Sequence, residues 1–348
     1  MKEINRIKQS KIIKYSELNI QPKDIIEDLK KYGTSVNILR QDTIKNQKKH
    51  LVVLGGGMSS EAEISYKSAA GIIEILINTN YYVSFVDMGR DVYEALVKLE
   101  PDIVFNALHG TYSEDGCIAG LLNIMKIPYT SSGVLTSGML FNKNIANIIF
   151  KFNNVITNDY TIISKNDHII GHPIDPPYVI KPLSQGSSIG VEVIFESDNF
   201  CFSNYQFKYG DQVIVEPYIK GRELQVVVLD GKALGIAETP VAKNKRFRDY
   251  ETKYFGPSIH MLPAPINKDL YSQILKISEK LFNILQCKSI IRIEFIYDEK
   301  NNKYYLLEIN TNPGIYQSSV SNKIANFYGI TYKELVLKIL ETASFENE

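Results

Sequence analysis

The chain has 348 residues, 44% of them hydrophobic and 22% charged, with Lys+Arg and Asp+Glu balanced at 39 each. That size allows two or three domains and that composition is ordinary for a globular protein, while the neutral balance removes any electrostatic reason to expect a nucleic acid or an anionic membrane as partner. Cys117, Cys201 and Cys287 are odd in number and widely spaced, which argues against a disulfide framework and fits a reducing cytoplasm.

Residues 1–48 are dense in Lys, Asp, Asn and Gln, carry weak helical signals at 25–31, and read as an appended, dispensable extension. Their first 14 residues lack the apolar core of a secretory signal, and no window of the chain approaches the ~18 apolar residues of a membrane span. From Leu51 the pattern alternates. Residues 51–54 form an apolar strand ended by Gly55-Gly56-Gly57, and a helix follows over 60–78 with Ile64, Ala69, Ile72, Ile73 and Leu76 on one side. A strand at 82–86, a helix at 91–99, a strand at 103–106 and a helix after Asp115-Gly116 continue the rhythm. Such βαβαβ order predicts a parallel sheet with helices on its faces, ending near Lys143. Beyond it come strands at 178–181, 191–195, 213–216 and 223–229, a tight hairpin at Asp230-Gly231, a helix over 268–285, and a closing hairpin of strands 290–297 and 304–309. The class is α/β followed by α+β.

The closing hairpin carries the chemistry. Side chains alternate faces along a strand, so Arg292 and Glu294 share one face and Ile291, Ile293 and Phe295 the other. In the partner strand Glu308 and Asn310 share a face opposite Leu307 and Ile309. Matching apolar faces and a five-residue loop, 299–303, set Glu294 opposite Glu308 and Arg292 opposite Asn310. Two carboxylates directly across a strand pair repel. A hard divalent cation reverses that cost, since Mg²⁺ takes oxygen ligands, often one or two carboxylates plus phosphates. Asn310 adds an amide oxygen, and Arg292 a fixed cation for a phosphate or oxyanion. A solvated strand face neutralised by Arg292 is the alternative, and the hairpin alone leaves both open.

Lys181 ends a strand, and Gln185-Gly186-Ser187-Ser188-Ile189-Gly190 leads into the next. Small residues let successive backbone N–H groups approach a phosphate, with Lys181 as a point charge. The loop is not a Walker A motif, because Gly-Lys-Ser/Thr is missing and a strand follows. Glu216 and Glu223, at strand ends, are candidate acceptors for an adenine amino group or ribose hydroxyls, or merely exposed acids. His109-Gly110 follows the 103–106 strand, at the end where ligands gather in open α/β sheets. Glu61 and Glu63 on their own read as dipole-favoured acids in a helix's first turn.

In order and spacing these pieces resemble the D-alanine–D-alanine ligases of the ATP-grasp superfamily, from about Leu51 to Ala343. The carrying stretches are 54–65, 107–116, 181–190, 250–254 and 307–314. The resemblance implies a three-domain ATP-grasp fold: extension 1–48, a Rossmann-like parallel-sheet domain 49–143, a central unit 144–222 and a C-terminal catalytic unit 223–348. It implies ATP at Lys143, Lys181, Ser188, Glu216, Ile219 and Glu223, and Mg²⁺ or Mn²⁺, two ions, at Glu294, Glu308 and Asn310. It places Glu61 on the ammonium of the first D-alanine, His109 near the reacting carboxylate, and Arg292 with the Gly314 backbone on the oxyanion. Ser319 falls near the second D-alanine's carboxylate and Lys253 at the second subsite. Ser187 and Tyr254 join Glu61 in a triad beneath a lid over 243–257. The implied activity is D-alanyl-D-alanine formation through a D-alanyl phosphate, by a cytoplasmic homodimer serving peptidoglycan synthesis.

Two positions depart from the family pattern. Glu294 stands where Asp is usual, and Arg248 where many relatives carry an aromatic. The retained Tyr254 favours an amine nucleophile over a hydroxy acid. Another ATP-grasp carboxylate–amine ligase and a catalytically weak nucleotide-binding relative are the alternatives. A dinucleotide site at Gly55-Gly56-Gly57 lacks the G-x-G-x-x-G spacing.

Overall fold

The computed structural model describes residues 11–15, 48–240 and 259–346. Three four-stranded sheets organise it. In the first, β2 (Lys49–Gly55) lies between β3 (Tyr81–Asp87) and β4 (Ile103–Asn106), parallel to both. Helices cover both faces, so β2 reads as a continuous apolar run rather than an alternating one, and Leu51 to Leu54 are fully buried. Helix α1 (Ala62–Leu76) buries the expected stripe of Ile64, Ala69, Ile72, Ile73 and Leu76. Helices α2 (Val92–Leu99) and α3 (Cys117–Ile124) follow their strands in the predicted order.

The extension reads differently in the structure. Residues Lys11–Tyr15 form strand β1, antiparallel on the outer edge of β3, with Lys11 opposite Asp87 and Tyr15 opposite Val83. The expected extension thus contributes a strand that covers the sheet edge β3 would otherwise present.

Helices α4 (Val134–Phe141) and α5 (Lys143–Phe152) lead into the central sheet. Its antiparallel order is β5 (Thr161–Ser164), β8 (Gln212–Pro217), β6 (Tyr178–Pro182), β7 (Glu192–Ile194). The third sheet is also antiparallel: β10 (Lys232–Glu238), β9 (Arg222–Leu229), β11 (Ile290–Asp298), β12 (Lys303–Asn310). Asp230 and Gly231 both have positive φ, +47° and +80°, as the tight turn joining β9 to β10 demands. Helix α6 (Lys268–Ile284) packs Leu270, Ile274 and Leu281 against this sheet.

Helices α7 (Val320–Phe327) and α8 (Tyr332–Glu341) return to the first domain. Ile324, Leu335, Val336 and Ile339 share one core with Leu51, Val53, Ile72 and Ile73. The central sheet has a separate small core around Tyr178, Ile180 and Val215. Among the described residues no helix is long and apolar enough to cross a membrane.

Candidate active site

A cleft opens between the central and third sheets. Lys143, Lys181, Ser188, Glu216, Ile219, Glu223, Glu294 and Glu308 all line it, together with apolar Val179, Ile189, Ile296 and Leu307. Every candidate nucleotide residue is therefore in one place. Lys181 leaves β6 with its Nζ 2.6 Å from Oε2 of Glu216 on the neighbouring β8. Lys143, the first residue of α5, donates from Nζ to the Gln185 carbonyl at 2.6 Å and so braces the glycine-serine loop. Within that loop Ser187, Ser188 and Gly190 have φ of +53°, +61° and +71°. Two consecutive left-handed serines are costly backbone and are the kind of outlier that gathers at ligand sites.

On the hairpin the register at the site end is the predicted one. Arg292 faces Asn310 and Glu294 faces Glu308. The route to it differs. Asp298 pairs with Lys303, so the turn spans residues 299–302 and not 299–303, and a bulge between Glu294 and Phe295 absorbs the extra residue. Phe295 therefore lies opposite Leu306, and Leu307 turns onto the cleft face beside Glu308. That corrects the expected face of Leu307: Leu306 is the buried core member, 2% exposed, because a bulge resets the alternation of the strand that carries it.

Arg292 donates from Nε and Nη2 to Oε1 of Glu294, at 3.1 and 2.6 Å. The longer Glu side chain thus reaches back to its own strand's guanidinium. Oδ1 of Asn310 accepts the Asn312 N–H at 2.9 Å. The donor set of two carboxylates and an amide oxygen is all hard oxygen, which fits Mg²⁺ or Mn²⁺ and disfavours softer metals. No cluster of three or more His, Cys, Asp or Glu suited to a metal occurs among the described residues.

Glu61 precedes α1 at its N-cap, yet its side chain makes no capping bond. It accepts instead a very short hydrogen bond from Ser187 Oγ, 126 residues away, at Oε2. Its Oε1 is buried with no hydrogen-bond partner among the described residues. The residue is 2% exposed. Burial, then the charge of Glu114, push its carboxyl up to about 7, with Glu308 adding a smaller push, against the lowering effects of Ser187 and His109. An added Cβ at Gly186 or Gly110 would come within 2.6 or 2.9 Å of Oε1, so it is the lack of a side chain at both positions that lets the backbone pass this close to that oxygen.

His109 sits past the end of β4, 4% exposed. Nδ1 is 3.0 Å from the Asn312 carbonyl and Nε2 is 2.9 Å from Ser68 Oγ. A carbonyl only accepts, so Nδ1 carries a hydrogen, and in the neutral ring Nε2 is then the acceptor of the Ser68 hydroxyl. Ser68 Oγ in turn accepts the Ile315 N–H at 3.3 Å. Gly314 thus lies in a segment tied at Asn312 and Ile315 to the first domain. Ser319 caps α7, its Oγ accepting the Asn322 N–H at 3.2 Å, and is 4% exposed. Lys253, Tyr254, Arg248 and the 243–257 lid lie outside the described residues. In the Gly55-Gly56-Gly57 turn, the Gly57 N–H donates to Asp87 Oδ1 at 3.0 Å, a bond that serves the sheet and not a dinucleotide.

Three residues that sequence reasoning missed belong to this site: Glu114, Ser68 and Asn312. Glu114 is 5% exposed, accepts the Gly110 N–H at 3.1 Å and lies 3.7 Å from His109 Nδ1. Its place in the 107–116 stretch was the available signal. Ser68 looks like any small residue of a helix, and Asn312 like a loop residue before Pro313.

Family models described as D-ala D-ala ligase N-terminus and C-terminus match residues 91–132 and 147–341. The D-alanine–D-alanine ligase of Rickettsia bellii (strain RML369-C) is 54% identical over 301 residues, 86% of this chain and 94% of that protein. That of Rickettsia felis (strain ATCC VR-1525 / URRWXCal2) is 53% identical over the same shares. The crystal structure of D-alanine–D-alanine ligase from Bacillus anthracis complexed with ATP superposes with a TM-score of 0.73 at 28% identity, covering 84% of this chain and 97% of that one.

Proposed function

The chain belongs to the D-alanine–D-alanine ligase family, and from that premise we propose how its own residues carry out ATP-dependent joining of two D-alanine molecules, an activity of class EC 6.3.2.4. The observation that carries the assignment of roles is the buried Glu61 carboxylate, one oxygen held by Ser187 and the other without a partner among the described residues. A buried carboxylate in that state is matched by an ammonium, which supplies both charge and donors. We therefore seat the first D-alanine's ammonium on Glu61 Oε1.

ATP occupies the cleft, with Glu216 and Glu223 toward the base and ribose. Lys143, Lys181 and Ser188 line the cleft, and we assign them to the phosphates of ATP. Glu294, Glu308 and Asn310 are the residues that would hold Mg²⁺ or Mn²⁺, two ions in the family pattern. Bound there, the cation would neutralise charge on the transferring phosphoryl group. A carboxylate has no good leaving group, so the γ-phosphoryl passes to the first D-alanine's carboxylate oxygen, giving an acyl phosphate and ADP. The second D-alanine's free amine attacks the acyl carbon, the C–O bond to phosphate breaks, and the amine loses its proton. We assign Arg292 and the Gly314 N–H to the oxyanion of that step. The dipeptide then serves peptidoglycan precursor synthesis in the cytoplasm, and we assign a homodimer as the working form.

Purified protein incubated with D-alanine, ATP and Mg²⁺ should release phosphate and form D-alanyl-D-alanine in equal amounts. A folded protein that hydrolyses or binds ATP without making dipeptide would overturn this reading. Sedimentation at micromolar concentration tests the dimer.

A further inference from the structure

Asn312 makes more connections across the domain boundary than its place in a short loop suggests. Its Nδ2 donates to the Leu108 carbonyl at 2.8 Å and to the Asn106 carbonyl at 3.3 Å, both at the end of β4 and more than two hundred residues away in sequence. Two carbonyl neighbours fix which amide atom points there, since only nitrogen can donate. The Asn312 carbonyl receives His109 Nδ1 at 3.0 Å. Its N–H donates to Oδ1 of Asn310 at 2.9 Å, closing an Asx turn over the last residue of β12. The residue is buried, 8% exposed.

Each bond has a consequence for the next. The Asx turn holds the Asn310 amide oxygen in one orientation, leaving its second lone pair for another partner. The turn is held only as firmly as the Asn312 backbone, and that backbone is fixed by the side-chain bonds to residues 106 and 108. The same carbonyls belong to the segment that carries His109 and leads to Gly110 beside Glu61. We propose that Asn312 is a positioning residue: it holds the Asn310 oxygen in place for a divalent cation and ties that placement to the first-substrate pocket. The inference rests on the functional reading above, because it takes Asn310 as a cation ligand and Glu61 as the ammonium site.

The test is Asn312→Ala, with Asn312→Ser as a milder variant that keeps a short donor. Mn²⁺ binding to the enzyme with a non-hydrolysable ATP analogue, read by loss of the free-Mn²⁺ resonance, should weaken about tenfold in the Ala variant, the lower end of what removal of a ligand-orienting partner costs. The KM for D-alanine at the first site should rise in step, with the Ser variant between the two. Both readings are taken well below each variant's unfolding temperature. A lowered unfolding temperature with unchanged Mn²⁺ affinity and unchanged KM would overturn the proposal and leave Asn312 a packing residue. If Asn312→Ala does not fold, the same criterion applies to Asn312→Ser. Failure of the underlying reading is separable, since it would show as unmodified protein that binds no Mn²⁺ or makes no dipeptide.

Discussion

Replacing Glu61 by glutamine isolates the energetic cost of the buried carboxylate. In the folded protein this group titrates at about 7, against an ordinary value of 4.5. The sign follows from linkage. Between those two values the folded state binds more protons than the unfolded state, so stability falls as pH rises. Each tenfold change in proton affinity corresponds to about 1.4 kcal/mol, so the loss accumulates to about 3 kcal/mol above pH 7. The Glu61→Gln variant carries no charge at this position at any pH and keeps an amide in place of the carboxyl. It should therefore match the unmodified protein near pH 4.5 and gain on it steadily up to about pH 7. It should hold an advantage on the order of 3 kcal/mol beyond that point, while losing most D-alanine turnover. Urea unfolding at half-unit pH intervals measures the difference curve. A stability difference that stays flat across this range and beyond it would refute the reasoning. So would a difference that grows in the opposite direction.

Three further outcomes follow from named contacts. Glu114→Gln keeps an acceptor for the Gly110 N–H and removes the second-largest cause of the raised Glu61 value. The acid limb of kcat/KM for D-alanine should move to lower pH, and an unmoved limb would show that Glu114 does not act on Glu61. Glu294→Gln halves the carboxylate charge across the hairpin and weakens the Arg292 pairing. The Mg²⁺ concentration for half-maximal rate should rise by about tenfold or more, read at saturating ATP. Removing residues 1–15 uncovers the β3 edge, so unfolding should occur at lower temperature and light scattering should grow with protein concentration. A fully monodisperse truncated protein of equal stability would count against the edge-covering role.

What could be read from the chain was local or periodic. Alternation in 290–297 and 304–309 gave the facing of Glu294, Glu308 and Asn310, and the glycine-serine spacing located the phosphate loop. The bulge escaped because register by loop length assumes uninterrupted alternation. One unpaired residue shortens the turn and exchanges Leu306 for Leu307 without leaving a mark in composition. Strand β1 escaped because its five residues pair with a segment about 70 positions later, and nothing near it in sequence signals the partner. Glu61 was misleading for another reason. A helix's first turn favours acids generally, so its own neighbours in sequence do not separate this acid from an ordinary one; the resemblance did, and the approach of Ser187 gives the physical reason. Asn312 stands inside the 307–314 stretch, which marked its place but not its bonds to residues more than two hundred positions away, and nothing near Ser68 in sequence signals its contacts with His109 and Ile315.

The shared core of α7 and α8 with the first sheet means that the first domain and the end of the chain fold into a single body, with the central sheet inserted between them. Ser344 reinforces this by pairing its backbone with Tyr129. A protease cut at a junction of the inserted unit would break the polypeptide without separating its ends. The first and last pieces would travel together through a sizing column, and only denaturant would reveal that the chain had been divided.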